Sequence, residues 1–243
     1  MAAGATGRYH LSMPVPRQTL PDPLPAEPLA LAADWLAEAT RRKVQPNPNA
    51  MTLATVGSDG QPSARIVLCK DIVASPGYVS FYTNYDSHKG EELARNPRAA
   101  LVFHWDPMHL QVRIEGQVVR APAAESDAYF ASRPWQRRIG AWASQQSRPV
   151  ADRAALEAAV RDAAARFGAP VPGPEDDPEQ DRLAGALQIP RPPHWGGFQV
   201  WASAVELWVE GESRIHDRAR WSRELSPAAP FRCGPWSVQR LQP

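Results

Sequence analysis

The segment "RIHDR", residues 214–218, sets two guanidiniums and an imidazole at alternate positions. In an extended chain, side chains alternate between faces with a period of two. Arg214, His216 and Arg218 would then share one face, with Ile215 and Asp217 on the other. Like charges that close repel, so the row is comfortable only facing water, as a solvated edge strand, or facing an anion. Basic residues recur beside other strand ends and helix starts. Arg65 and Lys70 bracket "RIVLCK", Lys89 stands in the first turn of a short helix, and Arg133, Arg137 and Arg138 cluster in "SRPWQRRIGAW". Helix starts and guanidiniums are what phosphate groups require. Each cation alone reads as a surface charge. Together, in a chain of formal net charge +1, they point to small phosphorylated ligands rather than to a polyanion. Strict alternation puts Arg65 and Lys70 on opposite faces, so one site takes both only through a bulge or strong twist, or across a subunit interface.

Strands and helices must position these groups. "LALAADWLAEATRRK" (29–43) carries Leu29, Ala32, Leu36 and Ala39 at helical spacing, with basic residues where they suit the helix dipole. "MTLATV", the turn "GSDGQP" and "SARIVLCK" read as a hairpin, followed by strands "YVSFYTN" and "RAALVFHW". Between those two, "SHKGEELARNP" is a short helix that Ser87 caps and Pro97 ends. "LQVRIEGQVVR" alternates cleanly, with Leu110, Val112, Ile114 and Val118 opposite Gln111, Arg113, Glu115 and Gln117. Two helical stretches follow, "AAESDAYFASR" and "DRAALEAAVRDAAARF"; the second puts Leu156, Val160, Ala163 and Phe167 on a core-facing stripe. "GFQVWASAVELWVEG", "ARWSREL" and "WSVQRLQP" complete the chain, with Val205, Leu207 and Val209 in strand alternation. Many antiparallel strands at hairpin spacing predict a closed or nearly closed barrel, mainly β with flanking helices.

Composition narrows the class. A hydrophobic content of 43% and a charged content of 22% are ordinary for a soluble globular protein of 243 residues. Cys69 and Cys233 are far apart and outside any CxxC, which argues against a disulfide framework or a zinc site and fits a reducing, cytoplasmic setting. No apolar leader and no membrane-length run is present, and the charge balance gives no field for nucleic acid or an acidic membrane. Prolines concentrate in residues 14–30 and 170–193. They predict an extended arm over residues 1–27 and a surface excursion at 169–194 within one domain spanning 28–243. HExxH, GxSxG, P-loop and strand-following GxGxxG patterns are absent.

The ordered blocks "ATVGSDGQPSARIVLCK", "FYTNYDSHKGEELARNP", "LQVRIEG", "YFASRPWQRRIGAWASQQS", "HWGGFQV", "ELWVEGESRIHDR" and "RLQP" together resemble the pyridoxamine (pyridoxine) 5′-phosphate oxidase family. The resemblance implies an FMN-binding split β-barrel and a homodimer with two flavins at its interface. It also implies oxidation of pyridoxine or pyridoxamine 5′-phosphate to pyridoxal 5′-phosphate, with O2 reoxidising the flavin to give H2O2. Carried over by motif, FMN contacts fall on Arg65, Ile66, Val67, Leu68, Cys69, Lys70, Tyr82, Thr83, His88, Lys89 and Gln111, then on Gln146, Ser147, Trp195 and Arg218. Substrate contacts fall on Lys70, Tyr129, Arg133, Arg137, Arg214 and His216, of which Arg214 and His216 are the catalytic candidates. His216 would either take a proton from the substrate hydroxyl or amine, or only orient it.

Two positions depart from the family pattern: His88 stands where an Arg is usual and Arg137 where a Ser is usual, and the N-terminal arm matches only loosely. Two other functions share the fold. A phenazine-biosynthesis flavin oxidase would lack the Lys70, Tyr82 and Thr83 that this chain keeps, and a non-catalytic FMN or pyridoxal phosphate binder would have no reason to hold Arg214 beside His216.

Overall fold

A computed structural model of the chain describes residues 18–173, 182 and 187–243. The expected arm at 1–17 and the excursion at 174–181 and 183–186 lie outside the described residues. Among the described residues nine strands form one antiparallel sheet: β1 (Ala50–Val56), β2 (Pro62–Leu68), β3 (Asp71–Val73), β4 (Tyr78–Asn84), β5 (Arg98–Trp105), β6 (Leu110–Arg120), β7 (Trp195–Val209), β8 (Asp217–Ser222) and β9 (Ser237–Leu241). The order is β2-β1-β5-β6-β7-β4-β3, and β8 joins β7 and carries β9. β7 is the longest strand, and it holds β4 along its first half and β8 along its second, with β6 on the other edge. The sheet curls into a half-barrel with helices packed around it.

The alternation read in β6 is observed, since Leu110, Val112, Ile114 and Val118 are buried and Gln111, Arg113, Glu115 and Gln117 half-buried. A bulge between Glu115 and Gly116 shifts the register, and Gly116 is required there because a Cβ would lie 2.0 Å from the Trp201 carbonyl oxygen. Leu53, Leu101, Phe103, Val112, Val205 and Leu207 fill the interior, each fully buried. Burial of each such side chain contributes about 1.5–3 kcal/mol.

Helix α1 (Pro28–Arg42) starts where the Glu27 carboxylate accepts from the Leu29 amide, and stops at Lys43 in the left-handed region, φ 50°. Helix α2 (His88–Arg95) is capped by the Ser87 hydroxyl accepting from the Gly90 amide, and ends before Pro97. Helices α3 (Ala123–Ala131), α4 (Trp135–Ala143) and α5 (Arg153–Arg166) build a second apolar cluster of Phe130, Trp135, Ile139, Ala163, Ala164, Ile189 and Trp195. Trp195 is also the first residue of β7, so it belongs to both barrel and annex, and Tyr82 of β4 packs against the same cluster.

Four expectations need correction. The RIHDR segment is not a strand throughout: Glu212–Arg214 form a single 3-10 turn and β8 begins only at Asp217. Ser213 and Arg214 sit at φ 53° and 65°, which breaks the two-residue period. Ile215, expected on the face opposite the cationic row, is therefore 73% exposed. Leu156 is likewise exposed, because α5 turns Ala163 and Ala164 inward. Finally, α4 was missed in the sequence, where Pro134 and the run of cations hide a nine-residue helix.

Candidate functional site

The chain between β2 and β3 resolves the Arg65–Lys70 conflict. β2 ends at Leu68, the Cys69 amide donates to Asn49 O, and the Lys70 amide donates to Ser80 O as the chain changes neighbours from β1 to β4. Arg65 and Lys70 consequently line the same cavity, of about 500 Å3. Ile66, Val67 and Leu68 of β2, Tyr82 and Thr83 of β4, and Lys89 of α2 line it too. The annex contributes Tyr129, Arg133, Arg137 and Gln146, and β7 contributes Trp195. Asn84, Gly140, Ala141 and Ser144 also line it and were not expected. Three of these four belong to α4 or follow it directly, so the missed helix accounts for them. No sequence signal marks Asn84, whose side-chain amide donates to Ser144 O at 3.3 Å.

Five cations line the cavity, and no carboxylate is among its described lining residues. They fall into two groups. In the first, Lys89 Nζ donates to Gln146 Oε1 at 2.9 Å, to Ser87 Oγ at 3.2 Å and to Thr83 Oγ1 at 3.4 Å. All three acceptors are neutral. Burial, then the nearby Arg65 charge, lower the Lys89 amine to about 8. Arg65 is anchored from behind by Glu92 at 3.1 Å, with Thr55 and Ser63 as further partners. Burial would raise the Glu92 carboxyl, but hydrogen bonds from Thr55, Ser63 and Arg65 outweigh it and hold the group below its ordinary value.

The second group surrounds an aromatic stack. Tyr82 lies on Tyr129 with centroids 4.1 Å apart, and Trp195 lies 5.6 Å from Tyr82. Lys70 Nζ sits 5.3 Å from the Tyr129 ring centre, and the Arg133 guanidinium 4.6 Å from that of Trp195. Trp195 is held edge-on by Phe130 at 5.1 Å, which ties the stack to the annex core.

The remaining candidates do not line this cavity. Cys69 is buried, its thiol pushed up to about 12 by desolvation. His88 faces Glu92 at 3.2 Å. Ser147, at φ 71°, lines a neighbouring groove with Val150 and Leu156. Gln111, His216 and Arg218 instead gather around Trp208. Gln111 and Arg218 stand directly opposite Trp208 on β6 and β8, and the His216 ring lies 4.6 Å from it. Arg218 donates to Glu206 Oε1 at 2.7 Å and to Gln242 O at 2.9 Å, so it is anchored within the chain. Arg214 is exposed on the adjoining turn.

The Trp208 patch and the cavity are far apart along the sheet. Trp195 and Trp208 are separated on β7 by roughly 40 Å of extended strand. Across the sheet, Ile66, Thr52, Val102, Arg113, Glu206 and Arg220 form one directly opposed row from β2 to β8. Five inter-strand steps make that row roughly 24 Å long.

Residues 36–167 match the family model described as pyridoxamine 5′-phosphate oxidase, and residues 195–243 match the pyridoxine 5′-phosphate oxidase C-terminal dimerisation region. The gap between the two matches coincides with the proline-rich excursion. A pyridoxine/pyridoxamine 5′-phosphate oxidase of Bordetella petrii is 48% identical over 224 residues, covering 92% of this chain and 93% of the relative. One of Burkholderia multivorans is 48% identical over 217 residues, covering 89% of each. Among solved structures, PhzG of Burkholderia lata, in complex with tetrahydrophenazine-1-carboxylic acid, superposes with a TM-score of 0.74 at 30% identity, covering 91% of this chain and 95% of that one. The half-barrel, its helical annex and these matches, which together span most of the sequence, place the chain in the pyridoxamine 5′-phosphate oxidase family.

Proposed function

We propose that the protein is an FMN-dependent oxidase converting pyridoxine 5′-phosphate and pyridoxamine 5′-phosphate to pyridoxal 5′-phosphate, with O2 as acceptor and H2O2 as by-product. The observation that carries this reading is the cavity with five cations and no described lining carboxylate, which suits two phosphate groups better than one. Lys89 donates to neutral acceptors only, and the Glu92 charge offsets its burial only in part, so a phosphomonoester would supply the hydrogen-bonded counter-charge. With Thr83, Gln146 and Arg65 it fits the FMN phosphate. Lys70, Tyr129, Arg133 and Arg137 would hold the substrate phosphate beside the Tyr82–Tyr129–Trp195 stack. When bound, FMN supplies the hydride acceptor. The protein's own task is then to hold the substrate carbon in place and exclude competing geometries.

Arg214, His216, Arg218 and Gln111 lie too far along the sheet to complete their own cavity. We therefore propose a two-fold homodimer in which each Trp208 patch meets the partner's cavity, giving two sites. The dimerisation region in the family's name covers Arg214, His216 and Arg218. A cytoplasmic setting fits the two free cysteines, and no helix among the described residues is long and apolar enough to cross a membrane.

The test is direct. Purified protein mixed with pyridoxine 5′-phosphate in air should form pyridoxal 5′-phosphate, and mass spectrometry of the released cofactor should give FMN. No aldehyde product, or FAD in place of FMN, rejects the assignment. The likeness to PhzG supports a second reading, oxidation of a phenazine precursor. Against it stand Lys70, Tyr82 and Thr83, which this chain keeps and which line the cavity together. Turnover of a dihydrophenazine carboxylate but not of the pyridoxine ester would favour that alternative.

A further inference from the structure

The turn carrying Arg214 and His216 is built around one unusual hydrogen bond. The Gly211 amide donates to His216 Nδ1 at 3.2 Å. Two backbone bonds close the turn, Ile215 N to Glu212 O at 2.9 Å and His216 N to Arg214 O at 3.0 Å. Ser213 and Arg214 both take positive φ, a region that residues with a Cβ enter only when their surroundings hold them there. Gly211 leaves no room for a side chain, since a Cβ would lie 1.6 Å from Ile215 O. On its other side the imidazole rests against Trp208 with the planes tilted by 41°. The ring is thus fixed in orientation by a backbone donor, an indole and a closed turn.

The same bond fixes the tautomer. A backbone N–H only donates, so Nδ1 must present its lone pair, and the single ring proton of neutral imidazole sits on Nε2. A general base needs a free lone pair, and the lone pair of this ring is engaged by Gly211. We infer that His216 meets the substrate as an Nε2–H donor, positioning an oxygen or nitrogen acceptor of the bound pyridoxine or pyridoxamine ester, and is not the group that receives the substrate's proton. This assignment of role rests on the proposed oxidase function; the tautomer itself does not.

Two measurements test it. In holoprotein carrying isotope-labelled histidine, long-range proton–nitrogen correlation spectra should show His216 protonated at Nε2 and bare at Nδ1, with the resonance identified by its loss in His216→Gln. An Nδ1–H ring overturns the inference. Kinetically, Gln can donate an N–H near the same place but cannot accept a proton, so kcat/KM of His216→Gln should exceed that of His216→Leu by about tenfold or more. Equal loss in the two variants, each with its FMN spectrum intact, overturns the donor role. Wild-type protein is the control for the underlying function. If it forms no pyridoxal phosphate the oxidase reading fails while the spectra still decide the tautomer. If it is active and the ring proves to be Nδ1–H, only the inference fails.

Discussion

Lys89 Nζ and Gln146 Oε1 are 2.9 Å apart, and the ammonium has no carboxylate among its hydrogen-bond acceptors. Burial and the Arg65 charge bring its pKa from 10.5 to about 8 in the fold. In the unfolded chain the amine keeps its proton to about 10.5, so between these values the unfolded state binds more protons and stability rises with pH. In flavin-free protein Lys89 should therefore add stability as pH is raised from about 8 towards 10.5, by on the order of 3 kcal/mol as an upper bound, and because the buried Cys69 thiol works the other way above about 9, that share is read as the difference between wild type and Lys89→Met. Urea denaturation across the window measures it. Flavin affinity should move the other way, declining as pH passes about 8, because a bare amine offers a phosphate no charge. Fluorescence quenching of added FMN reads this out.

Arg137 lines the cavity at the start of α4. Arg137→Ala should raise KM for the phosphorylated substrate by the equivalent of about 1.5–3 kcal/mol, the value of a charge-assisted hydrogen bond, with kcat much less affected. Steady-state kinetics with pyridoxine 5′-phosphate checks this, and an unchanged KM would place the guanidinium off the phosphate.

Arg218 shares the buried Glu206 carboxylate with Arg113, which donates at 3.1 Å. Its removal leaves Glu206 with one hydrogen-bonded arginine where it had two. Arg218→Ala should lower stability by about 1.5–3 kcal/mol even in flavin-free protein, besides any loss of flavin retention. Denaturant midpoints of the apo forms separate the two effects; equal midpoints would mean Arg218 acts on the cofactor alone.

Ile215 and Ile66 are exposed at 73% and 64%. Ile215→Val should leave the stability of the isolated chain within about 0.5 kcal/mol, as expected for a surface change and unlike a core truncation. Ile66 stands in the row with Thr52 and Val102 on the sheet face that the proposed dimer would cover. Ile66→Asp should shift the protein towards monomer in sedimentation experiments and weaken flavin retention with it. A variant that stays dimeric argues against that interface.

The sequence was most legible where one local rule acts alone. Alternation in β6 and the Ser87 cap followed by Pro97 were readable because burial and capping there depend on immediate neighbours. Most site residues carried over by motif fall into a cavity set or a Trp208 set, a division that only the strand register exposes, while Cys69, His88 and Ser147 belong to neither. The turn at 211–216 was read as extended because its positive φ values fall on Ser213 and Arg214, residue types that give no warning, although Gly211 marked the break. Leu156 fitted a helical stripe, yet spacing cannot say which stripe a neighbouring helix will cover.

Residues 20–27 lie across the far edge of the barrel. The Leu20 amide donates to Asp217, the Pro25 carbonyl accepts from the Trp221 indole, and Glu27 accepts from Trp236. β8 is thereby clasped between a segment almost 200 positions earlier in the chain and β9, which follows it. Contacts that distant in sequence are slow to form, because a long loop must close before they return any energy. On a translating ribosome the early strands can pair first, while β8 gains its second strand neighbour only when β9 emerges. The Arg218 part of the half-site that a partner would receive is thus assembled last, because its Gln242 acceptor and the Arg240 that pairs with Asp217 come only with β9 and the residue after it.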